Sequence, residues 1–298
     1  MYPHPFRYYR AATLAEAVSL LSGLGPEAKL LAGGQSLIPL MKLRLSSPAH
    51  LIDLNYIGNA GYIEKRDGVL RLGMLARHAE IADSAIVSEL PILHDCAAGI
   101  ADVQVRNRGT IGGSLAEADP SGDWGAVLQA LNAEVRCLGP EGERSIPISE
   151  FFLDAYTTAL QPAELVTEVA VKAPPPNSGG AYLAFKRCAP VYATASVAVQ
   201  VTMEDQEACR EARIVLGCVG LTALRAKEAE QELQGKNIDQ QSIARASEAA
   251  MASADPQPDM RGSVDYKRAL VGTLTRRALE VALRRSRGEQ VALNHDYA

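Results

Sequence analysis

"LLAGGQSLIPLMKLR", residues 30–44, and "TIGGSLAEADPSGDW", residues 110–124, are the two stretches on which the fold turns. Each sets adjacent glycines beside hydroxyl or amide side chains. The first offers Gly33, Gly34, Gln35 and Ser36, and the second Thr110, Gly112, Gly113 and Ser114. Glycine tolerates positive φ and leaves room beside the backbone. Successive N–H groups in such a turn can converge on an anion, and a helix starting just after adds exposed N–H groups and partial positive charge. One such string is more often a plain strand-to-helix turn. Two of them, about eighty residues apart, could clamp one diphosphate from two sides, with Asp119 and Asp123 close behind to accept ribose or ribityl hydroxyls.

Around the first string, "AKLLAG" reads as a short buried strand, and Leu37, Leu40 and Met41 fall on a short helix after it. "HLIDLN" (50–55) reads as another strand. Upstream, "TLAE" (13–16) is a capping box that opens a helix with Leu14, Ala17, Val18 and Leu21 on one face. Around the second string, "VLRLGML" reads as a strand and residues 77–100 as two helices broken before Pro91. "GAVLQALNAEVRCLG" reads as a helix running into a strand, and "ELVTEVAVKAP" as a strand. "PPPNSGG" (174–180) is the strongest boundary signal in the chain. Beyond it, "AYLAFKRCA", "ATASVAVQVTM" and "EARIVLGCVG" read as strands, followed by three helical segments. The pattern predicts an α+β unit with an antiparallel sheet covered on one face. Arg268, Arg276, Arg277, Arg284, Arg285 and Arg287 of the last helix read as a solvated face.

The 298 residues are 47% hydrophobic and 22% charged, with a net charge of −5, an ordinary globular balance without the basic footprint of a nucleic-acid binder. No apolar run approaches the ~18–20 residues of a membrane span. "MYPHPFRYYRAAT" lacks the apolar core of a secretory signal, so the cytoplasm is the expected compartment. Five scattered cysteines without a C-x-x-C read as reduced and mostly packed, and His94 with Cys96 is too small a set for zinc. No P-loop is present. "GLGPEA" (23–28) matches a dinucleotide fingerprint on paper but sits at the end of a helix, so it fails the structural condition.

The order "LLAGGQSLIPLMKLRL", "LIDLN", "GMLARHAEI", "VRNRGTIGGSLAEADPSGD", "ELVTEV", "AFKRCAPVYATASVAV" and "YKRALVGTLTRRAL" resembles the medium, FAD-binding subunit of molybdenum hydroxylases, the family of carbon monoxide dehydrogenase medium chains and xanthine dehydrogenase FAD subunits. The resemblance covers essentially the whole chain. It implies an FAD-binding fold of the vanillyl-alcohol oxidase (PCMH) type in two α/β subdomains, residues 1–56 and 57–176, and an α+β C-terminal domain, residues 177–298. It makes Ala32, Gly33, Gly34, Gln35 and Ser36, flanked by Leu30, Leu31 and Leu37, the first pyrophosphate loop. Thr110, Ile111, Gly112, Gly113 and Ser114 become the second, with Ala101 beside the cofactor and Asp119 and Asp123 near its sugar portion. Leu165 matches a backbone contact to the flavin ring, Lys186 a residue approaching the flavin, and Tyr192 an aromatic over the isoalloxazine. Two positions depart from the family pattern: Glu117 stands where a His is common, and Ala193 where an Asp is common.

The resemblance implies non-covalent FAD here, with molybdopterin and [2Fe–2S] clusters carried by a large and a small partner subunit, in a dimer of heterotrimers. The five cysteines lack the ligand spacing of an iron–sulfur cluster. The expected role is electron transfer from a partner's clusters to an external acceptor, with no catalytic residue for substrate oxidation on this chain. The alternatives are a stand-alone flavin oxidase of the same fold and a non-enzymatic nucleotide-binding regulator.

Overall fold

Three short parallel strands open the chain. The computed structural model describes residues 2–188, 191–204 and 208–293. In the first unit β1 (Arg7–Arg10), α1 (Leu14–Leu24), β2 (Ala28–Leu31), α2 (Leu37–Leu43) and β3 (His50–Asp53) follow in order, with β3 central between β1 and β2. Thr13 caps α1, its hydroxyl accepting the Glu16 N–H at 3.1 Å. The Glu16 carboxylate reaches past Thr13 to the Ala12 N–H at 2.8 Å, one residue earlier than a capping box requires. Gly25, at φ +66°, stops the helix, so "GLGPEA" lies at a helix end rather than behind a strand. β1 is not legible in "RYYR", which has no apolar alternation; pairing with β3 makes it a strand.

The second unit holds β4 (Ile63–Arg66), β5 (Val69–Gly73), α3 (His78–Asp83), α4 (Pro91–Gly99), α5 (Val103–Arg106), α6 (Ile111–Glu117), α7 (Trp124–Ala130), β6 (Glu134–Gly139), β7 (Gly142–Pro147), α8 (Ile148–Phe151), β8 (Phe152–Asp154), β9 (Thr157–Thr158) and β10 (Leu165–Lys172). Five of its strands form an antiparallel sheet in the order β4-β5-β10-β6-β7. The last strand to be made therefore occupies the centre. It carries Glu168 on the face opposite the core-facing Val169 and Val171, where the carboxylate accepts from Tyr62 Oη at 2.5 Å and Arg71 Nη1 at 2.7 Å. A buried carboxylate is tolerated only with such partners. The core beneath is built from Ile92, Leu93, Ile111, Leu115, Trp124, Leu128 and Phe151, all fully buried.

The third unit is β11 (Ser178–Phe185), β12 (Ala195–Glu204), β13 (Ala208–Gly217), β14 (Leu224–Arg225), α9 (Lys227–Gln231), α10 (Gln240–Ser253) and α11 (Val264–Ser286), its sheet antiparallel throughout. Residues 195–203 of β12 are all buried. Val197, Val199 and Val201 pack in the core with α10 and α11, while Ala198 joins Tyr182 and Val215 in the core of the second unit. α4 and α7 cover that second face. The sheet is thus covered on both faces, not one, because the neighbouring unit supplies the missing layer, and small side chains such as Ala198 allow the close approach.

The arginines of α11 do not all face solvent. Arg285 is 6% exposed at its side chain and forks onto Asp95 of α4 at 2.6 and 3.0 Å, with a further bond to the Gly180 carbonyl at 2.7 Å. This ion pair joins the first and last thirds of the chain through a buried interface, which a helix-face pattern cannot announce. Arg268 caps the Ala254 carbonyl at 3.2 Å, while Arg276 and Arg277 remain exposed. No helix among the described residues is long and apolar enough to cross a membrane.

Candidate functional site

The two glycine strings lie against each other. A Cβ built on Gly33 would stand 2.3 Å from the Arg108 carbonyl oxygen and 2.8 Å from Gly109 Cα. Real Cβ atoms do not approach backbone so closely, so Gly33 is required by the contact between the loops. A Cβ on Gly113 would meet Thr110 Oγ1 at 2.8 Å and Ala32 Cβ at 3.7 Å, which places Gly113 opposite the first loop. Gly34, at φ +73°, turns the chain from β2 into α2, a conformation a side chain would strain.

The loops differ in what they offer a ligand. The N–H groups of Gly33, Gly34 and Gln35 and the hydroxyl of Ser36 make no protein hydrogen bond among the described residues. In the second loop the amides of residues 111–114 are already taken. Ile111 donates to the Ala76 carbonyl and Gly112 to the Met74 carbonyl, each at 3.1 Å, and Ser114 donates to the Thr110 carbonyl at 3.0 Å. Gly113 donates to Thr110 Oγ1 at 3.1 Å, making Thr110 the cap of α6. The Ile111 side chain is fully buried in the core. The second loop therefore has the Thr110 N–H and the Ser114 hydroxyl left to offer, while the first has most of the free donors. Leu30 and Leu31 anchor the first loop in β2, and Leu37 starts α2.

A polar chain ties the loops together from behind. Asp53, at the end of β3, accepts from Tyr8 Oη at 2.6 Å and from the Asn55 N–H at 2.9 Å. Asn55 Nδ2 donates to Asp53 Oδ1 at 2.6 Å and to the Ala32 carbonyl at 2.9 Å. Arg77 donates one guanidinium nitrogen to Asn55 Oδ1 and the other to the Arg108 carbonyl. Burial opposes ionisation of Asp53, and the hydrogen bonds from Tyr8 and Asn55 outweigh it, holding the carboxyl below its ordinary value. Neither Asn55 nor Arg77 was singled out by the sequence reading, although both lie inside its quoted strings "LIDLN" and "GMLARHAEI".

Below the second loop the acidic residues separate. Asp119 is half-buried, and its Oδ1 accepts the Ser121 N–H at 2.8 Å. Tyr156 and Tyr192 approach its carboxylate from two other segments, and burial together with Asp119 pushes both hydroxyls above their ordinary range. Tyr192 is 48% exposed. Asp123 lies deeper, 6% exposed, and accepts from Tyr182 Oη at 2.6 Å. Burial raises its carboxyl, with Lys186 and Tyr182 pulling the other way. Lys186 Nζ donates to the Gly99 carbonyl, two residues before Ala101, which holds φ +43°. Leu165 begins β10 with its side chain buried, and two residues on the Thr167 carbonyl accepts the Met74 N–H beneath Gly112. Arg261 bridges this region to the third unit, donating to Ser121 Oγ at 2.9 Å and the Ala193 carbonyl at 3.2 Å. Of the two departing positions, Ala193 is buried and Glu117 is half-buried, its carboxyl raised by burial and by Asp119.

Residues 4–174 match the family described as the FAD binding domain in molybdopterin dehydrogenase, and residues 180–282 match the CO dehydrogenase flavoprotein C-terminal domain. The 6-hydroxypseudooxynicotine dehydrogenase complex subunit alpha of Paenarthrobacter nicotinovorans is 40% identical over 99% of this chain and 100% of its own length. The carbon monoxide dehydrogenase medium chain of Afipia carboxidovorans is 40% identical over 96% of this chain and 100% of its own. The solved carbon monoxide dehydrogenase of Hydrogenophaga pseudoflava superposes with a TM-score of 0.93 at 41% identity, covering 96% of this chain and 99% of that one. With the paired glycine loops in place and both halves of the chain matched, this protein belongs to the family of FAD-binding medium subunits of molybdopterin dehydrogenases.

Proposed function

We propose that the chain is the electron-transferring flavoprotein subunit of a molybdenum-containing hydroxylase or dehydrogenase, passing electrons from iron–sulfur clusters on a partner to an external acceptor. The observation that carries this reading is the backbone contact of the two glycine loops at Gly33 and Arg108. The residues present fit FAD. The free amides of Gly33, Gly34 and Gln35 and the hydroxyls of Ser36 and Ser114 are donors suited to a diphosphate, and the absent Cβ of Gly113 leaves space opposite Ala32. FAD supplies chemistry that no side chain has, exchanging electrons singly or in pairs.

The chain's own contribution is position and charge. Ala32 to Ser36 would hold the diphosphate with Thr110, Gly113 and Ser114 facing them. Asp119 and Asp123 would serve the sugar portion, Asp123 held in place by the Tyr182 hydroxyl. Leu165, Lys186, Ala101 and Tyr192 would surround the ring. Arg261, by gripping the Ala193 carbonyl, fixes the segment that carries Tyr192.

The partners proposed are a large molybdopterin-binding and a small [2Fe–2S] subunit in a dimer of heterotrimers, working in the cytoplasm. Relatives named as a medium chain and as a subunit of a complex support the assembly, and the five unpaired cysteines suit a reducing compartment. Co-purification of a tagged chain from its native host tests the reading. The expected result is two further chains with molybdenum and iron, and FAD on this one. Steady oxidation of an organic substrate by the chain purified alone would instead make it a stand-alone oxidase.

A further inference from the structure

We propose that Asn55 and Arg77 are positioning residues that set the gap between the two glycine loops, and so the tightness with which FAD is held. The proposal rests on the reading of the loops as an FAD site. Asn55 grips the first loop at the Ala32 carbonyl, one residue before Gly33. Arg77 grips the lead-in to the second string at the Arg108 carbonyl, two residues before Thr110 and the atom against which Gly33 packs. The Arg77–Asn55 hydrogen bond closes the chain between them, and Asp53, itself held by Tyr8, accepts from the same Asn55 Nδ2 that grips Ala32. Neighbouring backbone completes the frame: the His78 N–H donates to the Gly109 carbonyl at 3.1 Å.

The chemistry explains the residue types. The link needs a group that donates to Ala32 and Asp53 while accepting from Arg77, and a primary amide does both where a carboxylate or a hydroxyl cannot. The other half must reach two acceptors in fixed directions, which suits a planar guanidinium and not an ammonium. Arg77 is partly buried, with Arg108 as a cationic neighbour. Burial and that neighbour disfavour its charge, while Glu80 and Asp53 favour it. What the structure shows it doing is bridging two acceptors, the Arg108 carbonyl and Asn55 Oδ1.

The test is FAD affinity of the full-length chain, measured by flavin fluorescence titration well below each variant's melting temperature. Arg77→Lys keeps the charge but loses the fork, and its dissociation constant for FAD is expected to rise about tenfold, the scale of one charge-assisted hydrogen bond. Asn55→Ala cuts the link from the other side and should act similarly. Because both remove one linkage, the double variant should bind FAD about as well as the weaker single variant. Additive losses would overturn the proposal, because they would make the two residues independent. Wild-type affinity in Arg77→Lys would overturn it too, since charge alone would then suffice. Should either single variant fail to fold, Arg77→Gln and Asn55→Ser repeat the cycle. Failure of the wild-type chain to bind FAD at all would sink the functional reading itself, which separates the two outcomes.

Discussion

Gly33→Ala isolates the contact between the loops in a single methyl group. The added carbon would lie 2.3 Å from the Arg108 carbonyl oxygen, well inside the 3.0 Å that real Cβ atoms keep, and 2.8 Å from Gly109 Cα. Both obstacles are backbone, so no side chain can swing aside. The loops must separate by several tenths of an ångström, stretching the Arg77 and Asn55 bonds that span them. Overpacking of this kind costs about 1–3 kcal/mol. If most of that falls on the bound state, FAD affinity drops roughly 5- to 150-fold. Gly113→Ala is the matched comparison. Its methyl meets the Thr110 hydroxyl at 2.8 Å, a side-chain atom that can rotate, so a smaller loss is expected. The assay is FAD titration by fluorescence, with far-ultraviolet circular dichroism to establish that each apo-protein is folded. A folded Gly33→Ala variant with a dissociation constant within about threefold of wild type would refute the claim that the loops are held in van der Waals contact at this point.

Three further outcomes are expected. Arg285→Met leaves the Asp95 carboxylate buried without its partner and should lower stability by about 3–5 kcal/mol, read from chemical denaturation. A variant as stable as wild type would show that the interface relaxes to admit water. His78 is buried beneath Gly109, accepts from Trp124 Nε1 at 3.2 Å, and has its imidazole held down to about 4 by burial and by Arg77 and Arg106. A depressed base favours folding fully above its unfolded value of 6.5 and loses that contribution as pH falls toward 4, so melting temperature should drop across that window and drop less in His78→Gln. Parallel pH profiles in the two proteins would assign the acid sensitivity elsewhere. Tyr192→Ala should retain most FAD, since the diphosphate loops are untouched, but change the rate at which the reduced holo-complex is reoxidised by oxygen or a soluble quinone in stopped-flow mixing. Rates unchanged from wild type with both acceptors would leave Tyr192 without a role at the flavin.

What the sequence determined by itself is local or carried by motif. Thr13 announces a helix start because a hydroxyl three residues before a free N–H is a short-range relation. The Val-rich runs of β12 and β13 announce strands through their own composition. The glycine strings announced two closely approaching turns because backbone freedom is a property of the residue type. Tertiary structure decided the rest, because it depends on groups far apart along the chain. Asn55 meets Ala32 across 23 positions and Arg77 meets Arg108 across 31, and no periodicity links them. Arg285 on a charged helix became a buried ion pair only because Asp95, 190 residues earlier, faces it. β12 gained a second covered face because another unit's helices pack on it. The amides of residues 111–114 closed on Thr110, Met74 and Ala76, leaving most of the free donors in the first loop. Two stretches of nearly the same composition thus came to different uses, because a backbone N–H is available to a ligand only where the surrounding fold has not already bonded it.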